Sequence, residues 1–182
     1  MNLALKVLNI YIPSYVRKSG LKQLFSAAAE AFESTIPDIQ GLSADECLRQ
    51  FALFTKNQVE KLINTGNNLE AVKKKLYQNA FQLGEKYRKK FRIQNLNDVM
   101  STARILYHII GIKFKGNAMG EVVIKRCYFS NVYNDQVCQV MSAMDSGLLA
   151  GLANGGELIF SSRITENQSC CQANFILSKK VK

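Results

Sequence analysis

A chain of 182 residues with 47% apolar and 21% charged side chains is long enough for one full core and too apolar to remain disordered. No apolar run approaches the roughly 20 residues of a membrane-spanning helix. The odd count of five cysteines fits a reducing compartment, with a cytoplasmic location as the default, and the net charge is +10.

The N-terminal MNLALKVLNIYIPSYVRK lacks a leading basic segment and a small-x-small cleavage site, so it reads as part of the folded protein and not as a signal peptide. Residues 3–12 predict a short helix ended by Pro13, although their partial alternation also allows a strand. Residues 20–34 place Leu21, Leu24, Phe25, Ala28 and Phe32 at helical spacing. Ser43 followed by Glu46 is a capping box, with Leu42 and Cys47 in the flanking staple positions. Leu48, Phe51, Thr55, Val59 and Leu62 then continue one helical face until Gly66. Asn68 caps a long helix to about Lys90, with Leu69, Val72, Leu76, Ala80, Leu83 and Tyr87 as its buried stripe.

The basic residues are concentrated on and just beyond that helix: Lys73, Lys74, Lys75, Lys86, Arg88, Lys89, Lys90 and Arg92, opposed within residues 73–92 only by Glu85. Such a run suits nucleic acid, acidic lipid or an anionic substrate, or it is a solvated face. No nucleic-acid motif accompanies it. Tyr77, Phe81 and Tyr87 fall on the apolar stripe and not beside the charges as stacking platforms. The solvated face is therefore preferred. A further helix runs from about Leu96 to Ile110, with Val99, Ala103, Leu106 and Ile110 inward and His108 off that stripe.

Beyond Ile110 the period changes. IGIKFKGNAMGEVVIKRCYF predicts a β-hairpin turning through Gly116, Asn117 and Gly120. Helical spacing returns from about Asn134 to Leu152 and ends at Asn154, Gly155 and Gly156. ELIFSSRI and CCQANFIL make a second hairpin, turning through residues 165–168. The expected fold is α+β: one domain over residues 1–182, with a helical part (1–110) and a hairpin–helix–hairpin part (111–182). The two hairpins form one four-stranded antiparallel sheet with helices on one face.

Candidate chemistry gathers in the last part. Cys138 and Asp145 lie near one line of a helix, with Met141 and Met144 between them. If that face is buried, the carboxylate needs a partner or its pKa rises; Arg126, Arg163 and Lys125 are the candidates. Gly147 and Gly151 imply close approach of a backbone or ligand, or tight packing against the sheet. Alternation in the final strand turns Cys171 inward and Cys170 outward. Cys127, Cys138 and Cys171 could then converge at one end of the sheet as zinc or iron ligands, or as buried structural thiols. With a nearby cation one of them could act as a nucleophile.

RCYFSNVY, VCQVMSAMDSGLLAGL and SRITENQSCCQANF resemble the L-2-amino-thiazoline-4-carboxylic acid hydrolase-like family and its wider relatives, the 4-vinyl-reductase domains. Cys127, Cys138, Asp145, Gly151 and Cys171 match the family's pattern over the C-terminal third. FALFTKNQ and LYQNAFQLGEKYRKKF agree more loosely. Two departures stand: residues 166–169 lack the family's glycine before the last cysteine, and Cys170 is an extra thiol. The resemblance implies a fold like that of 4-vinyl-reductase domains and Golgi-transport-complex subunits, a homodimer, and a ligand pocket between sheet and helices. It also implies hydrolysis of a cyclic C–N or C–S bond. Cys138 or Cys127 would be nucleophile or metal ligand, Asp145 the acid/base, and Arg126 or Arg163 with Met141 the substrate-binding residues. A noncatalytic sensor or dimerisation module with a small-molecule or metal ligand is the alternative. A weaker likeness to the C-terminal domain of the plastid β-carotene isomerase family would imply iron.

Overall fold

The computed structural model describes residues 12–66 and 68–178. The element expected over residues 3–12 lies outside them except for Ile12. The helices are α1 (Ser14–Ala31), α2 (Ala44–Thr65), α3 (Leu69–Phe91), α4 (Leu96–Ile109) and α5 (Asp135–Ala153). The strands are β1 (Ile112–Gly116), β2 (Glu121–Cys127), β3 (Glu157–Ser162) and β4 (Cys171–Ile176). The fold class is α+β, and the four strands form one antiparallel sheet in the order β1-β2-β4-β3.

Local chemistry sets most of these boundaries. Ser43 accepts from the Glu46 N–H while the Glu46 carboxylate accepts from the Ser43 N–H, so the capping box forms as expected. Asn68, Asn95 and Asn134 cap α3, α4 and α5 through their side-chain oxygens. Asn154 and Gly66 end helices in the left-handed conformation. The first helix departs from expectation, because it starts at Ser14 instead of Gly20. Pro13, expected to end a helix, opens one instead: its carbonyl accepts from the Val16 and Arg17 N–H groups. Gly20 inside α1 lets Ile109 approach, and a Cβ there would lie 3.3 Å from Ile109 Cγ2.

One face of the sheet carries Ile112, Phe114, Val122, Ile124, Leu158, Cys171, Ala173 and Phe175, all buried. Helix α4 covers β1 and α5 covers β3, while α3 packs on α5 and against α1, which also contacts α2. The other face is solvated: Lys113, Lys115, Lys125, Gln172 and Asn174 are exposed, as are Ile159 and Ile176. No helix among the described residues is long and apolar enough to cross a membrane.

Close packing of α3 against α5 explains two of the glycines. Gly147 faces the Tyr77 carbonyl and Gly151 the Phe81 carbonyl, so α3 and α5 run side by side in the same direction. Gly84 completes the contact: a Cβ on it would lie 2.9 Å from Gly151 Cα. Gly147 and Gly151 therefore serve contact with a neighbouring helix, and neither a ligand nor the sheet fills the space beside them. The basic residues of α3 point largely to solvent. Lys73 pairs with Glu70 at 2.8 Å, Lys75 pairs with Glu33, and Lys90 lies over the Phe91 ring.

Candidate functional site

All five helices, the start of β1, the end of β2 and the turn after it border a partly open cavity of about 110 Å³. Its walls are mostly apolar, from Leu24, Leu83, Leu106, Ile112, Met141 and Met144. Five aromatic residues border it: Phe51, Tyr87, Tyr107, Phe129 and Tyr133. Cys127, Cys138, Ser142 and Asp145 also reach it. Three sequence candidates on α5 are thus brought together as expected: Cys138, Met141 and Asp145.

Cys127 joins them because of an irregularity in β2. Ile112 pairs with Cys127 and Phe114 with Ile124, so Lys125 and Arg126 together oppose the single residue Lys113. This is a β-bulge. Plain alternation from Val122 and Ile124 would turn Arg126 inward and Cys127 outward. The extra residue reverses that. Cys127 borders the cavity, whereas Arg126 is exposed with Lys125. The expected role of Arg126 as a substrate anchor is therefore not met.

Arg163 is engaged elsewhere. Its guanidinium lies 4.5 Å over the Phe160 ring and donates to Glu166 at 3.4 Å. Glu166 also accepts from Gln139 at 3.3 Å, which docks the second hairpin onto α5. Arg163 does not border the cavity. Cys171 does not border it either: its sulfur accepts from the Ile164 N–H at 3.4 Å beneath the turn that follows β3. The three thiols thus divide, two at the hollow and one behind it. Among the described residues no group of three or more His, Cys, Asp or Glu side chains is placed to hold a metal ion. The expected ligand set of Cys127, Cys138 and Cys171 is not assembled in this arrangement.

Asp145 finds its partner in Tyr107, not in an arginine or lysine. The Tyr107 hydroxyl donates to Asp145 Oδ1 at 2.8 Å. No group among the described residues donates to Oδ2 at hydrogen-bond distance. The carboxyl is closely surrounded by protein but keeps accessible surface, because it lines the cavity. Burial pushes its pKa from 3.8 up to about 6, against the Tyr107 hydrogen bond and the charge of Arg163, which pull it down. Burial also pushes the Cys127 thiol up to about 12 and raises Cys138 and Cys171. The Thr165 hydroxyl beside Cys138 and the more distant Arg163 only partly oppose this. Thiols so placed are held protonated near neutral pH.

Tyr107 and Tyr133 are the site residues that sequence reasoning missed. Tyr107 stacks on Phe114 with ring centroids 4.8 Å apart, and its pKa is driven up by burial. The Tyr133 hydroxyl shares a 2.5 Å hydrogen bond with Thr55 Oγ1, and Thr55 in turn donates to the Phe51 carbonyl at 2.8 Å. A threonine on the apolar stripe of α2 was the available signal for such a polar contact. His108, off its stripe, is exposed.

Fold and site together define an α+β protein whose helical layer encloses a mainly apolar, aromatic-rimmed hollow with a single carboxylate. No family model and no curated protein matches the chain.

Proposed function

We propose that this protein is a small-molecule-binding module whose ligand occupies the cavity between α1, α3, α4 and α5. The observation that carries this reading is Asp145: it lines an apolar hollow, its Oδ1 is fixed by Tyr107, and no group among the described residues donates to its Oδ2. A carboxylate left so in a closed core is costly, whereas beside a ligand it supplies orientation. The resemblance to 4-vinyl-reductase domains points the same way. A homodimer that transmits occupancy belongs to the same proposal. The test is a titration of the protein with fragments of about six non-hydrogen atoms, followed by NMR of the Met141 and Met144 methyls. The shifts should change in the native chain and stay still in Leu106→Trp, which fills the hollow. Shifts that persist in that variant place the ligand elsewhere.

A second reading is hydrolysis of a cyclic C–N or C–S bond. One observation favours it: the pKa of Asp145, raised to about 6, suits a general acid or base near neutral pH. The neutral thiols argue against Cys138 or Cys127 as nucleophile, and the positions of Arg126 and Arg163 argue against either as a carboxylate anchor. Zinc or iron would need the thiols to regroup. If 2-amino-thiazoline-4-carboxylate is turned over, Asp145→Asn should abolish the activity and Cys138→Ser should spare it. No turnover by the native chain removes this reading.

A further inference from the structure

Which ligand the cavity selects follows from its charge, and this step rests on the binding reading above. Among the residues that line it, Asp145 is the single one with a formal charge; the rest are apolar, aromatic, hydroxyl or thiol side chains. Arg163, whose charge acts on Asp145, stands outside the wall and donates to Glu166. An anionic ligand would meet repulsion there. A neutral ligand without a donor would leave Oδ2 stripped of water and unpaired. A cation offsets both penalties, and aromatic rings add attraction for it through their faces.

We infer that the cavity takes a small organic cation, an alkylammonium or cyclic ammonium ion, with its N–H donated to Asp145 Oδ2 and its carbons among the rings of Phe51, Tyr87, Phe129 and Tyr133. The size fits: a cavity of about 150 Å³ holds benzene, so about 110 Å³ suits a ring or branched chain of about five non-hydrogen atoms. Tyr107 is a positioning residue, since it fixes Oδ1 and leaves Oδ2 to the ligand.

Binding should follow the ionisation of Asp145. Tyr107 on α4 and Arg163 after β3 act on its carboxyl, and its charge in turn raises the pKa of Cys127 on β2, Tyr133 before α5, Cys138 on α5 and Cys171 on β4. Burial holds these phenols and thiols neutral. Asp145 is thus the member of the group that changes charge between pH 5 and pH 8.

The test is calorimetric titration of the full chain with pyrrolidine, a cation at both pH values, and with tetrahydrofuran, its neutral isostere. At pH 7.5 pyrrolidine should bind at least about tenfold tighter than tetrahydrofuran, and Asp145→Asn should erase that preference. With a carboxyl pKa of about 6, pyrrolidine affinity should fall about tenfold between pH 7.5 and pH 5, while tetrahydrofuran shows no such fall. Should the asparagine variant not fold, this pH series on the native chain decides. Equal binding of the two probes, or a preference that survives in Asp145→Asn, overturns the cation inference and leaves the pocket standing. Binding of neither probe overturns both.

Discussion

Replacing Asp145 with asparagine should make the protein more stable at neutral pH, and the gain should depend on pH in a defined sense. The amide keeps the acceptor for the Tyr107 hydroxyl and removes a charge from the hollow. The carboxyl pKa rises from 3.8 to about 6 on folding. At about 1.4 kcal/mol per pKa unit, this displacement is worth about 3 kcal/mol. Between those two values the folded state holds a proton that the unfolded state has released, so the Asp145 contribution to stability falls as pH rises. The loss begins near the unfolded pKa and is complete above about pH 6–7. Urea unfolding of both proteins at pH 4, 5, 6 and 7.5 isolates this group, because the exposed carboxylates Glu33 and Glu46, whose pKa values are lowered by Lys75 and Ser43 respectively, contribute equally to both. The stability of Asp145→Asn relative to native should be about 2–3 kcal/mol greater at pH 7.5 than at pH 4. A difference that is flat across that range, or that shrinks with rising pH, refutes the reasoning.

Tyr107→Phe removes the hydrogen bond that holds the Asp145 pKa down, so the carboxyl should titrate above the native midpoint of about 6; carbon-detected NMR reads this directly, and an unchanged or lower midpoint counts against the assigned partner. Gly151→Ala would drive a methyl into the Phe81 carbonyl, and since backbone cannot rotate aside, a loss of about 1–3 kcal/mol or more is expected by urea unfolding. A neutral substitution there would mean that α3 and α5 are not in close contact. Cys127, with its thiol pKa raised to about 12, should alkylate with iodoacetamide at pH 8 at least about a hundredfold slower in the folded protein than in urea. Mass spectrometry of the modified peptides reads the rate, and fast labelling in the folded state would contradict the burial of that thiol.

What the sequence disclosed best was local. The Ser43–Glu46 box, the cap at Asn68, the helix start near Asn134 and the stop at Asn154 depend on residues a few positions apart, so spacing was enough to place them. Each hairpin could be read for the same reason, whereas their union into one sheet rests on the distant pairing of β2 with β4. Features that depend on distant parts of the chain were harder. Pro13 resembles a stop in isolation, yet its carbonyl begins a helix. Helix α4 looked one-sided, but it is covered on nearly every side, with Val99, Met100, Thr102, Ala103, Ile105, Tyr107 and Ile109 all buried. Tyr107 was therefore not recognised as the partner of Asp145; a search for opposite charge overlooked a neutral donor. The convergence of Cys138 with Asp145 was legible because one helix carries both. The separation of Cys171 from them was not, since it depends on how the turn after β3 folds back.

The bulge in β2 also decides the sign of the hollow. If β2 slipped by one residue past Lys113, the places of Cys127 and Arg126 would be exchanged. A guanidinium would then stand where a neutral sulfur now does, within reach of the Asp145 carboxylate, and an internal ion pair would cancel the charge that faces the ligand. Deleting Lys125 does something different: two residues no longer oppose one, the strand runs straight, and the thiol keeps its inward place. One unpaired position in a seven-residue strand thus separates a hollow that attracts cations from one that has neutralised itself.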